Sequence, residues 1–179
     1  MAILTKSSHF TDTFLDINND IFRIITAFNE DNQLKQLLIN TDFKPLQGPP
    51  ADKDLRDKQI SRAPLLPYDD EQGSLITVTF INGELDNNSE VLGARLAVDV
   101  FTPGNQWIIA EGVRPLMIAH AVSNIMKHKI KQTGGVKYRL RDIINAQLSD
   151  TLLGYRLIYV AVFDDLFRSS YDRYSNTRS

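Results

Sequence analysis

Between residues 74 and 163, strand-like segments lie on both sides of one long amphipathic helix, and a chain so patterned has to lay that helix on a sheet. Residues 74–81 read Ser-Leu-Ile-Thr-Val-Thr-Phe-Ile, with Ile76, Val78 and Phe80 on one face and Thr77 and Thr79 on the other. After a turn-rich polar stretch at 82–89, Ala94, Leu96, Val98 and Val100 alternate with Arg95, Ala97, Asp99 and Phe101. That alternation predicts an antiparallel hairpin, apolar toward the core and solvated on the face of Arg95 and Asp99. Pro103 and Gly104 end the strand, and a helix is predicted to begin near Arg114 with Pro115 in its first turn. Leu116, Ala119, Val122, Met126 and Ile130, widened by Ile118 and Ile125, make the stripe that faces the sheet. Lys127, Lys129 and Lys131 suit the negative end of the helix dipole, and Gly134 with Gly135 stops it. Beyond it, 136–140 reads as a short strand, 142–148 as a brief helix or turn, and 153–163 as a final long strand on which Tyr155 and Tyr159 share a face.

Ahead of this region, Phe14, Ile17, Ile21, Ile24, Ile25 and Phe28 recur at helical spacing, and Leu34, Leu37 and Leu38 resume it after a polar break. Two helices are predicted over 12–40, the first capped by Asp12 and the second by the short polar side chains at 29–32. From 41 to 72 the pattern disappears. Pro45, Pro49, Pro50, Pro64 and Pro67 remove backbone donors, and a charged cluster occupies 52–58. This arm reads either as a loop ordered against another chain or as a mobile surface loop. The fold class expected is α+β: a mixed, mainly antiparallel sheet with a long helix on one face, an N-terminal helical pair and a proline-rich arm. One domain is expected, with a helical segment at 1–40, the arm at 41–73, the core at 74–165 and a polar tail at 166–179 carrying Tyr171 and Tyr174.

A chain of 179 residues, 42% apolar and 23% charged, accommodates one ordinary core. With 20 basic and 22 acidic side chains the formal charge is −2, so no global field draws the protein to nucleic acid or an anionic membrane. The absence of cysteine excludes disulfides, thiol catalysis and thiolate metal sites. No apolar run approaches the length that crosses a bilayer, and a soluble, unexported protein is expected.

Chemistry-bearing constellations are sparse. No Gly-rich loop followed by lysine and serine or threonine cradles a phosphate. His9, His120 and His128 lack metal-ligand spacing, and Ser123 lies one turn from His120 without an orienting carboxylate nearby. Glu84, Asp86, Glu90 and Asp99 cluster around the predicted hairpin as a strand-borne cation site would. The residues after Asp99, Val-Phe-Thr-Pro, lack the lysine such a nuclease places there. Trp107 reads as a core anchor, with an interface hot spot as the alternative. Arg114 reads as an exposed helix-start arginine, or as the partner of a carboxylate on a neighbouring subunit.

Three stretches carry a family resemblance: Arg95-Leu-Ala-Val-Asp-Val-Phe-Thr-Pro before Trp107, Arg114-Pro-Leu-Met-Ile-Ala-His-Ala-Val-Ser-Asn-Ile-Met, and Gly154-Tyr-Arg-Leu-Ile-Tyr-Val-Ala-Val. Their order over residues 74–164 resembles that of tail terminator and neck proteins of tailed phages, in which a hairpin leads into a helix laid across the sheet and a later strand completes it. The resemblance implies a non-enzymatic virion subunit without cofactors, one copy of a homo-oligomeric, hexameric ring. Such a ring would meet the tail tube or sheath on one side and the head connector on the other, with DNA only passing through its lumen. Arg95, Asp99, Trp107, Arg114, Pro49, Pro50, Tyr171 and Tyr174 are the candidate interface residues. Two other classes stay open: a metal-dependent nuclease using Asp99 with Glu84 or Glu90, and an adaptor that binds a partner through the arm.

Overall fold

The computed structural model describes residues 8–48, 52–62, 73–85, 91–130 and 136–163. Two helices come first, α1 (Ser8–Asn29) and α2 (Asn32–Ile39), then the short strand β1 (Ile60–Ser61) and the long strands β2 (Leu75–Leu85) and β3 (Val91–Pro103). A small ribbon of β4 (Ile108–Ile109) and β5 (Gly112–Val113) leads into α3 (Arg114–His128), and β6 (Val136–Gln147) and β7 (Leu152–Phe163) end the described fold. The five-stranded sheet has the order β1-β2-β3-β7-β6 and is antiparallel except where β1 runs parallel to β2. The fold is α+β, with a mainly antiparallel mixed sheet.

Side-chain alternation decides which face is covered. In register, Ile76 meets Val100, Val78 meets Val98, and Val98 meets Leu157. These residues share one face of the sheet and form the main core with Ile24, Phe28, Leu34, Leu37 and Leu38 of α1 and α2 and Ile118, Val122 and Ile125 of α3. All three helices therefore pack on the same face. The N-terminal pair is built into the core, because Phe28, Leu34, Leu37 and Leu38 have no exposed surface. Asp31 caps α2 through its carboxylate, which accepts from the Leu34 amide at 2.9 Å, as the polar break predicts. Helix α1 starts earlier than expected, at Ser8, so Asp12 lies inside it and not at its cap.

Four other expectations are corrected. The described parts of 41–73 do not form a separate arm: Leu55 and Ile60 are fully buried, the Leu55 amide donates to Asn29 Oδ1 at 2.7 Å, and the Ile76 amide donates to the Gln59 carbonyl at 2.6 Å. A tight turn at Asp57, with φ +57°, makes that parallel entry of β1 possible. The face of β3 opposite the helices is not solvated, since Ala97, Asp99 and Phe101 are buried, Phe101 in a second cluster with Leu75 and Leu152. Residues 142–148 are not a helix or turn, for β6 runs unbroken from Val136 to Gln147. In α3 the buried stripe is Pro115, Ile118, Ala119, Val122, Ile125 and Met126, while Leu116 lies a residue off it and is 48% exposed.

Gly154 fixes the close seam between β3 and β7. A Cβ there would lie 1.8 Å from the Val100 carbonyl oxygen, so only glycine lets the two backbones approach at this point.

Candidate functional site

Arg114 opens α3 and sits fully buried, contrary to its reading as an exposed helix-start residue or a contact for a neighbouring subunit. Its guanidinium donates to the carbonyls of Asn40 at 2.5 Å, Asp42 at 2.7 Å and Leu37 at 3.4 Å. A planar, permanently charged fork is suited to gathering the open carbonyls where α2 ends. Burial lowers its pKa from the ordinary arginine value, opposed by the charges of Asp42 and Glu111. Sequence reasoning missed this because an arginine ahead of Pro115 looks the same whether it faces water or a distant helix end.

Asp99 is buried on β3, and Arg156 of β7, opposite it in the ladder, grips both oxygens at 2.6 and 2.9 Å. The carboxylate raises the pKa of Arg156, chiefly through these hydrogen bonds. Asp99 pairs with Thr77 on β2 whereas Glu84 pairs with Gly93, and the seven positions from Thr77 to Glu84 span roughly 23 Å of strand. Asp99 and Glu84 are therefore placed far apart along the sheet. Glu90 lies outside the described residues, and among those described no three His, Cys, Asp or Glu side chains converge on a metal position. The Ser123 hydroxyl bonds to Tyr159 at 3.0 Å and His120 to Asn124 at 3.0 Å, so the two do not form a nucleophile and base.

The remaining interface candidates divide. Trp107 is half-buried, donates from Nε1 to the Thr102 carbonyl at 3.1 Å and leans on the Tyr155 ring with centroids 6.4 Å apart. Arg95 is half-buried on β3. Pro49, Pro50, Tyr171 and Tyr174 lie outside the described residues. A shallow groove of about 340 Å³ runs between α2 and α3, lined by residues that include Asp31, Asn124 and His128, but its acid is already paired with Lys129 at 2.7 Å.

The surface that stands out is one that sequence reasoning did not name. Strand β6 is the edge of the sheet, and among the described residues nothing pairs with its outer side. Every residue from Arg139 to Asn145 is exposed, including Leu140, Ile143 and Ile144 at 40%, 54% and 47%. Between Leu140 and Asp142 the register against β7 shifts, leaving Arg141 as an extra residue. Leu140 and Ile143 consequently face the helix side together, opposite Tyr159 and Leu157, while Asp142 and Ile144 face the other side, opposite Ile158 and Arg156. A second exposed apolar spot lies near the start of α3. There Ile108 of β4 is 68% exposed, and the Ala110 amide donates at 2.7 Å to the carbonyl of Phe43, itself 60% exposed.

The YomW family model matches residues 18–161, which takes in all of α2, α3 and β1–β6 and most of α1 and β7. The chain belongs to the YomW family. YomW is a phage-type family, of the kind found in SPbeta-like Bacillus prophages, and the match suggests a phage protein. No curated protein and no solved structure matches the chain. No helix among the described residues is long and apolar enough to cross a membrane.

Proposed function

We propose that this YomW-family protein is a structural, non-catalytic virion subunit that assembles into a ring at the head-proximal end of a phage tail and joins it to the head connector. The observation that carries the reading is the exposed apolar edge strand β6. A long edge that no described residue pairs with, and on which Leu140, Ile143 and Ile144 are exposed, is a liability in a monomer and an asset in a subunit that is covered by its neighbours. Two further features support it. The patch at Phe43 and Ile108 lies on other elements than β6, and a closed ring requires two different patches, each meeting the other on the next copy. The phage-type family also fits the resemblance to tail terminator and neck proteins in the order of hairpin, helix and closing strand.

The test is native mass spectrometry and negative-stain imaging of the full chain, alone and mixed with tails lacking their own terminator. Rings of a single defined copy number that cap the tails are expected. A protein that neither closes into rings at any concentration nor attaches to tails would exclude this function.

A further inference from the structure

We infer that, before it meets a tail, the free protein pairs with a second copy of itself through β6, antiparallel and about a two-fold axis normal to the sheet. This rests on the ring reading and deepens it by adding its regulation, since a copy paired this way has its edge strand occupied and cannot offer it to a ring.

A parity rule governs such pairing. Two identical antiparallel strands related by such an axis bring opposite each other only residues that face the same side of the sheet. In a regular strand of 12 residues, overlap along the full length would set residues of opposite faces against each other, so it is forbidden. The register shift at Arg141 removes that obstacle. With the axis between Arg141 and Asp142, Leu140 meets the second copy's Ile143 on the helix side, and Tyr138 meets Asn145 beside it. On the other side Arg139 meets Ile144, and at the centre Arg141 meets Asp142, each pair occurring twice.

The two innermost kinds of pair are complementary. Leu140 with Ile143 joins two exposed aliphatic groups, and Arg141 with Asp142 joins opposite charges that are about half exposed in the single chain. Within one chain the same two charges make only a loose pair at 3.6 Å, which leaves them available to a partner. The bulge thus serves an edge that is used symmetrically. The occupant is a second copy because the strand is complementary to itself in this register.

The chain has no cysteine, so introduced thiols report the register directly. Leu140→Cys and Ile143→Cys proteins are purified separately and oxidised alone and as a mixture, while light scattering follows mass against concentration. In the inferred register the bulge sets the two copies of position 140 apart by the length of two β7 residues along the strand, roughly 7 Å, and by one strand spacing across it, roughly 8–9 Å in all and too far for a disulfide, whereas position 140 of one copy directly opposes position 143 of the other. The mixture is expected to cross-link into dimers at least about tenfold faster than either variant alone. Asp142→Arg should weaken the dimer by about tenfold through two like-charge pairs, and adding Arg141→Asp should restore it. A wild-type chain that stays monomeric, or variants that cross-link with themselves as fast as with each other, would overturn the inference. Rings that form with no dimer on the way overturn it and leave the ring function standing. Dimers with the stated register that never cap tails uphold it and remove that function.

Discussion

Residue 114 shows how one side chain can hold distant parts of a chain together. Its guanidinium reaches back more than seventy positions to the end of α2 and binds three carbonyls, one of them buried and two partly buried. The nitrogen Nε has no partner, so the site is satisfied through its two outer nitrogens only. Arg114→Met keeps much of the volume but removes every donor. The expected loss is about 2–3 kcal/mol of unfolding free energy, from one buried and two partly buried acceptors left without their donor, read as a lower midpoint in urea without a change of slope. A variant within roughly 1 kcal/mol of wild type would show that the carbonyls find water instead. Nothing local in the sequence signals this role. A helix-start arginine next to a proline is common, and its partners lie too far along the chain for any periodicity to connect them.

Among the elements, β3, β7 and α3 were legible because their periodicities are long and clean. Alternating aliphatics mark β3, a β-branched and aromatic run marks β7, and the stripe from Ile118 to Met126 marks α3. Strand β6 was not legible beyond Leu140 for an equally definite reason. The extra residue Arg141 breaks the period of two, so Leu140, Ile143 and Ile144 no longer look like one strand, and Asp142 looks like a turn. Strand β1 escaped notice because two residues carry no pattern, although Ile60 is fully buried. With β6 misread, the candidate interaction surface was invisible, and the residues proposed for it from sequence included Arg114 and Asp99, both engaged inside the molecule. One contact ties β6 to α1: the Tyr138 hydroxyl donates to Asp20 Oδ2 at 2.6 Å. Burial, then this hydrogen bond, raises the Tyr138 pKa above its ordinary value of 10.0. A raised folded-state pKa means that the stabilisation is complete below about pH 10 and is lost as pH rises beyond it, because the unfolded chain ionises first. Stability measured against pH should fall more steeply above pH ~10 in the wild type than in Tyr138→Phe, and equal slopes would mean that the phenol ionises freely in the folded state.

For the molecule as a whole, the sheet is covered on one face by all three helices, so the N-terminal pair is not an appendage. Removing residues 1–31 would uncover Leu34, Leu37, Ile76 and Val78, which have no exposed surface in the intact fold. The truncated chain is expected to lose its cooperative thermal transition and to bind a hydrophobic dye, while the full chain melts in one step by circular dichroism. A truncated protein that retains a sharp transition would make α1 a separate unit. Sheet order has a consequence of another kind. The central strand β3 is flanked on one side by β7, the last strand described, and among the described residues β6 is held to the sheet only by β7. A nascent chain emerging from the ribosome cannot zip β6 into place until everything through β7 has been translated. If copies pair through β6 as inferred above, the surface they use is displayed only once the sheet is whole.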